Sequence, residues 1–197
     1  MFPERIETER LTLERIAHDA VDVFELHRFY ADGDGSTEMF EYWDSLPHET
    51  VKATDDFVDE AERLWDEGEA GKYVIRPTEG EDGAGTIAGT TRLCPDWETR
   101  SARLGILLDE RFWGRGYSGE RADALLSVAF DRLDLDLVVA ACIDGNGKSR
   151  RAITKYVERH GGQYEGLLRN WLSVPDGVVD VHRYTISRAE YFAAAES

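Results

Sequence analysis

The stretch from Ala102 to Ile143 constrains the fold most. ARLGILLD (102–109) reads as a strand, RFWGRGYSG (111–119) as a glycine-rich loop, residues 118–133 as a helix and LDLVVAACI (135–143) as another strand. The helix carries Leu125, Leu126, Val128, Ala129 and Leu133 at helical spacing. The second strand is apolar at nearly every position, as expected of a central strand buried on both faces. Strand, helix and strand in this order make one parallel crossover.

The other elements attach to that unit. ETERLTLERI (7–16) alternates and reads as a strand. Residues 17–32 and 48–66 carry apolar residues at helical spacing, separated by the loop ADGDGST. KYVIRPT (72–78) and TIAGTTRL (86–93) are strands around the turn EGEDGAG, and CPDWETRS is a loop. GNGKSRRAITKYVERHGG reads as a loop and helix stopped by Gly161 and Gly162. Strands at about 163–173 and 178–187 follow. The predicted order is β-α-α-β-β-β-α-β-α-β-β, an α/β (α+β) fold with a mixed central sheet and helices on both faces. No repeat, low-complexity tract or linker divides the 197 residues, so a single domain over 1–197 is expected, its core at about 7–190.

Charge narrows the classes of function. Lys plus Arg number 23 against 40 Asp plus Glu, a net −17, which argues against nucleic acid as a partner. Only Lys52, Lys72, Lys148 and Lys155 are lysines. An acidic, lysine-poor surface suits strong salt, where the Debye length is only ~3 Å at 1 M. No apolar run approaches the ~20 residues of a membrane span. MFPERIETERL lacks the apolar core of a secretory signal. Cys94 and Cys142 cannot make a disulfide framework, and Cys142 reads as a small buried hydrophobe. A cytoplasmic location is expected. His18 and His27 lie nine apart and His48, His160 and His182 are isolated, so no metal is expected.

The glycine loop is where chemistry belongs. Glycines let the backbone approach a ligand closely, and the N–H groups of a helix start suit phosphate. Segments 111–121 and 146–155 hold seven cations (Arg111, Arg115, Arg121, Lys148, Arg150, Arg151, Lys155) and one acid, Glu120. In so acidic a chain that concentration points to an anionic ligand. Gly114, Gly116 and Gly119 also satisfy G-x-G-x-x-G, the dinucleotide fingerprint, and Asp144 could meet a ribose. Against that reading, Glu110 to Trp113 intervene after the strand, the motif falls late, and only one parallel crossover follows. No Gly-Lys-Ser/Thr closes the loop, which excludes a P-loop.

R-x-x-G-x-G on a strand–loop–helix resembles the acyl-CoA pyrophosphate loop of the GNAT superfamily of N-acyltransferases. ETERLTLERI resembles the opening of its RimJ/RimL-type branch, and LGILLDERFWGRGYSGERADALL that branch's central motif. Asn146-Gly-Lys-Ser149 is similar to its N-x-x-S, and Glu165-Gly166 with Asp180 and Tyr184 to its C-terminal E-G…D…Y pattern. The resemblance covers most of the chain. It implies acetyl transfer from acetyl-CoA directly to a primary amine of a protein N-terminus, an amino acid or a small molecule, by a monomer or homodimer.

The resemblance also implies roles. The strand at 102–109 would splay from that at 135–143, with the pantetheine arm in the gap and the pyrophosphate on loop 111–116. Cofactor contacts would come from Leu107, Leu108, Asp109, Arg111, Phe112, Trp113, Gly114, Arg115, Gly116, Tyr117, Ser118, Asn146, Ser149 and Arg150. A backbone N–H near Leu107 or Leu108 would hold the oxyanion. The departing thiolate would meet Ser149 if Asn146 opens the motif, or Tyr156 if Ser149 takes the asparagine's place. Ser149 also suits a helix cap, and Tyr156 a packing aromatic. Where ribosomal-protein acetyltransferases of the branch carry a glutamate seven residues past E-G, this chain has Leu172, beside Trp171. Glu98, Asp109 and Glu165 are substitutes for that base, or a water chain serves. Tyr42, Trp43, Trp97 and Trp171 fall on loops that flank the acceptor in the family, and acids between 32 and 44 would attract a cationic amine. Two other classes stay open: a non-catalytic acyl-CoA-binding protein on the same fold, which Leu172 favours, and a nicotinamide-dependent oxidoreductase.

Overall fold

Period-two patterning on the strands divides the core between two faces of one sheet. Tyr73 and Ile75 join one buried cluster and the intervening Val74 joins the other. The computed structural model describes residues 1–31, 48–174 and 177–196. The described elements are β1 (Arg5–Glu7), β2 (Leu11–Arg15), α1 (Val23–Ala31), α2 (Val51–Asp66), β3 (Gly71–Pro77), β4 (Gly89–Asp96), β5 (Ser101–Leu108), α3 (Tyr117–Ser127), β6 (Leu137–Ile143), α4 (Gly147–Arg159), β7 (Gln163–Val174), β8 (Gly177–Ser187) and α5 (Arg188–Ala195). The strands form one sheet in the order β1-β2-β3-β4-β5-β6-β8-β7. Neighbours are antiparallel except β5 and β6, the parallel pair of the predicted crossover. Leu26, Tyr30, Val58 and Ala61 of α1 and α2 pack on one face, and Leu125, Leu126, Ile153 and Tyr156 of α3 and α4 on the other.

The mixed sheet and helices follow the sequence pattern, with local departures. Glu7–Ile16 is not one strand: β1 and β2 form a hairpin whose turn is closed by Thr8 N–H donating to the Leu11 carbonyl at 2.9 Å. The polar run before Leu11 concealed that turn. The first helix starts at Val23, six residues later than predicted. Thr86–Ala88 stay outside β4, which opens at Gly89. There a Cβ would lie 2.3 Å from the Leu107 carbonyl, so only glycine admits the close approach of β5. The helix after the glycine loop becomes a π turn at Val128–Arg132. α5 was not predicted; Ser187 and Glu190 start it with a reciprocal capping box. The acids between 32 and 44, Tyr42 and Trp43 lie outside the described residues. No described helix is long and apolar enough to cross a membrane.

Candidate active site

β5 and β6 begin as partners and then part. Their ladder runs from Ser101↔Leu137 to Leu104↔Ala140 and stops, while β5 continues to Leu108 and β6 to Ile143. β5 stays fully paired to β4 on its other edge, through Gly89↔Leu108. The result is a wedge-shaped gap in the sheet. The Asp109 N–H donates to the Ala88 carbonyl at 2.9 Å, toward β4. Alternation along the strand turns the Leu107 N–H the same way and those of Ile106 and Leu108 toward the gap. Of the two residues named for the oxyanion, Leu108 therefore has its N–H on the gap side. β6 departs from its predicted double burial. Val138, Ala140 and Cys142 are buried beneath the α3–α4 layer, whereas Ala141 on the opposite face is exposed.

The loop after β5 is held by its own side chains. Asp109 is buried, accepts the Arg111 N–H at 2.9 Å and pairs with the Arg111 guanidinium at 2.6 Å. Phe112 is buried and stacks on Tyr117 with ring centroids 6.2 Å apart. The Trp113 indole N–H donates to the Leu108 carbonyl at 2.7 Å, on the gap side of the strand. Tyr117 donates to Glu81 at 2.6 Å, and Arg115 pairs with Asp82 at 2.9 Å. Gly114 and Gly116 take φ of 77° and 85°, a left-handed conformation that favours glycine. Gly116 is the N-cap of α3 and supplies no capping side chain. The first N–H groups of a helix lack partners within it, so those at Tyr117 and Ser118 are presented at the mouth of the gap.

This loop is less positive than the counted cations suggested. Asp109 and Asp82 neutralise Arg111 and Arg115. Glu120 accepts from the Thr8 hydroxyl at 2.6 Å and the Arg10 N–H at 2.7 Å, and pairs with the Arg10 guanidinium at 2.7 Å. Arg121 points inward and is 1% exposed. What suits an anion here is the backbone and helix end, with Lys148 reaching across from α4 to lie 4.2 Å over the Trp113 ring.

The other wall of the gap is α4. Asn146 is its N-cap, its side-chain oxygen accepting the Ser149 N–H at 2.9 Å. That frees the Ser149 hydroxyl from capping; it bonds the Cys142 thiol on β6, whose pKa burial pushes up to about 11. Arg150 is exposed, its guanidinium 5.7 Å from the Tyr164 ring centroid. Tyr156 is 1% exposed between α3, β6 and β8. Burial raises its phenol, and the Arg121 guanidinium beside it opposes that rise. Ser149 and Tyr156 thus lie on the same helix, Ser149 half-buried and Tyr156 buried.

The named substitutes for the base do not converge on the gap. Glu98 lies in the β4–β5 turn, at the far end of β5. Asp109 is engaged by Arg111. Glu165 accepts from Thr185 at 2.7 Å on the β7–β8 hairpin, level with paired β6 residues. Trp97 also sits at the far end, donating to the Gly68 carbonyl at 3.0 Å. Trp171 is on the part of β7 that projects past the gap and is 63% exposed. Two groupings were not visible from spacing. His182, buried on β8, lies between Asp144 at 3.0 Å and Tyr164 at 2.9 Å. His18 lies 3.0 Å from Asp59, with Glu62 alongside on the surface. Asp144 is thus committed to His182, and among the described strands β5 and β6 are the one parallel pair, so no second parallel crossover for a dinucleotide fold is found there.

Comparison with known proteins agrees with this geometry. A profile of the acetyltransferase (GNAT) domain matches residues 10–156. The N-acetyltransferase p20 of Bacillus licheniformis, described as uncharacterized, is 28% identical over 188 residues, covering 95% of this chain and 98% of its own. A GCN5-related N-acetyltransferase from Brucella melitensis superposes with a TM-score of 0.78 at 19% identity, over 100% of this chain and 84% of its own. Spermidine N-acetyltransferase from Vibrio cholerae, solved with CoA and spermine, gives 0.72 at 18% identity, over 94% and 99%. The last two show the fold. With a matching profile over most of its length and the parted strands and glycine loop in place, the chain belongs to the GNAT family and is an N-acetyltransferase.

Proposed function

We propose that the protein moves an acetyl group from acetyl-CoA directly to a primary amine, in the manner of the RimJ/RimL-type branch. The carrying observation is the parting of β5 and β6 after Leu104↔Ala140, beside a loop with left-handed glycines at 114 and 116. The pantetheine arm enters the gap, where the free edge of β5 offers backbone groups. The pyrophosphate rests on the loop from Arg111 to Gly116 and on the Tyr117 and Ser118 N–H groups. Asn146, Ser149 and Arg150 line the α4 side.

The amine approaches from the face that α3 and α4 leave uncovered, where Ala141 is exposed. It attacks the thioester carbon, the Leu108 N–H receives the developing oxyanion, and the thiolate leaves toward the α4 wall. Holding both reactants in line supplies most of the acceleration. Glu98 and Glu165 lie away from the gap and Asp109 is held by Arg111, so water is the carrier assigned to the amine's proton. That separates this site from the ribosomal-protein pattern, whose glutamate is Leu172 here. Trp171, exposed at the projecting hairpin, favours an acceptor with an apolar portion beside its amine. The acidic, lysine-poor composition suits a cytoplasm rich in salt.

The test is an amine panel of amino acids, N-terminal peptides and polyamines, incubated with acetyl-CoA in molar salt. Thiol release and product mass are followed together. The proposal expects thiol release that requires both protein and amine, with matching acetylated product. Acetyl-CoA binding without acetylation of any member would leave a binding protein in its place.

A further inference from the structure

Arg121 is the largest fully buried side chain among the described residues, 1% exposed, and its Nε and Nη1 have no hydrogen-bond partner among them. Other arginines of this fold find acids: Arg10 pairs with Glu120, Arg76 with Glu25, Arg111 with Asp109 and Arg115 with Asp82. Arg121 meets the Tyr156 hydroxyl instead, and the two are hydrogen-bonded between α3 and α4. A guanidinium keeps its charge even when buried, so a cation without an acid of its own stands beside a phenol between α3 and α4. The ionisable groups facing this pair are Cys142 from β6 and Tyr184 from β8. Asp123 acts on Arg121 from the same helix, but its carboxylate is taken by Arg159 and His160.

A buried cation with unpartnered donors is suited to a negative charge that arrives during the reaction. A phenol is ordinarily a weaker acid than a thiol, ~10 against ~8.5, so giving a proton to a thiolate is uphill unless the phenolate is stabilised. We propose that Arg121 is a positioning residue for acyl transfer, its guanidinium steadying the phenolate of Tyr156 as that hydroxyl protonates the departing CoA sulfur. This rests on the acetyl-CoA reading above. When the tetrahedral intermediate collapses, the C–S bond breaks with its electron pair on sulfur. The Tyr156 O–H bond breaks and an S–H bond forms. The proton lost by the attacking nitrogen returns to Tyr156 through water, leaving amide and CoA thiol.

The test uses the full chain with tyrosine rings labelled with carbon-13. The ring resonance missing in Tyr156→Phe identifies Tyr156. Arg121→Met should shift that resonance toward an unperturbed phenol, and Arg121→Lys, which keeps the charge, should largely restore it. In turnover, Arg121→Met should lower kcat about tenfold with KM for acetyl-CoA held within about threefold, and add little to Tyr156→Phe. Should Arg121→Met not fold, Arg121→Gln takes its place. The proposal is overturned by an unmoved Tyr156 resonance, by additive losses, or by a raised KM with kcat intact, which would make Arg121 a ligand for CoA phosphates. A wild-type protein that acetylates no amine contradicts the acyltransfer reading; the resonance still reports on the Arg121–Tyr156 pair.

Discussion

Gly114 and Gly116 both take positive φ, but in different surroundings. A Cβ on Gly116 would come within 3.3 Å of the Arg10 guanidinium, whereas one on Gly114 would meet nothing within 4 Å. Gly114→Ala therefore isolates backbone strain from crowding. It should cost about 1–2 kcal/mol of stability, read by urea melts. Acetyl-CoA affinity should fall at least about tenfold, because the new methyl lies on the loop proposed to hold the pyrophosphate. The hydroxyls on the α4 wall separate similarly. Tyr156→Phe should lower kcat about a hundredfold with KM little changed, and Ser149→Ala no more than about tenfold, since Tyr156 has the buried Arg121 guanidinium beside it to hold its anion. A larger loss in Ser149→Ala than in Tyr156→Phe would show that Ser149 carries the proton. At this scale the sequence named the residues without fixing their partners. Asn146, not Ser149, caps α4, and Arg121 counted as one cation among seven until its burial was seen.

Glu120 works at the scale of elements, fastening the β1–β2 turn to α3. Burial alone would raise its carboxyl, but bonds from Thr8 and Arg10 outweigh that and hold it below the usual range. A carboxyl whose folded pKa is depressed stabilises the fold above its unfolded value, ~4.3, and that contribution is lost as pH falls through the folded value. Glu120→Gln should therefore cost about 2 kcal/mol at pH 7 and progressively less below pH 4, followed by urea melts of both proteins. A constant difference across that range would assign its role to shape rather than charge. This fastening was illegible beforehand because Thr8 and Glu120 lie 112 residues apart in sequence. The crossover was legible because its apolar runs and glycines are local signals. The parting of β5 and β6 was expected only from family resemblance: β6 is apolar throughout, β5 is apolar on both sides of the break except at Arg103 and Ser101, and no spacing marks the point after Leu104 where pairing ends.

For the whole molecule, the excess of acid sets how the fold responds to salt. Exposed ion pairs such as Arg100–Asp136 lose strength as salt rises, yet with 40 acids against 23 cations the larger effect is relief of self-repulsion. The melting temperature should climb by several degrees or more between low and molar potassium chloride. A flat or falling curve would mean that the acidic surface is not an adaptation to salt. The gap beside the glycine loop is probed most directly by calorimetric titration in molar salt with acetyl-CoA, CoA and NAD in parallel. An acyl-CoA site there requires that acetyl-CoA and CoA bind with one-to-one stoichiometry, that Gly114→Ala weakens both, and that NAD does not bind. Absence of acetyl-CoA binding to demonstrably folded protein, or binding of NAD in its place, would contradict it.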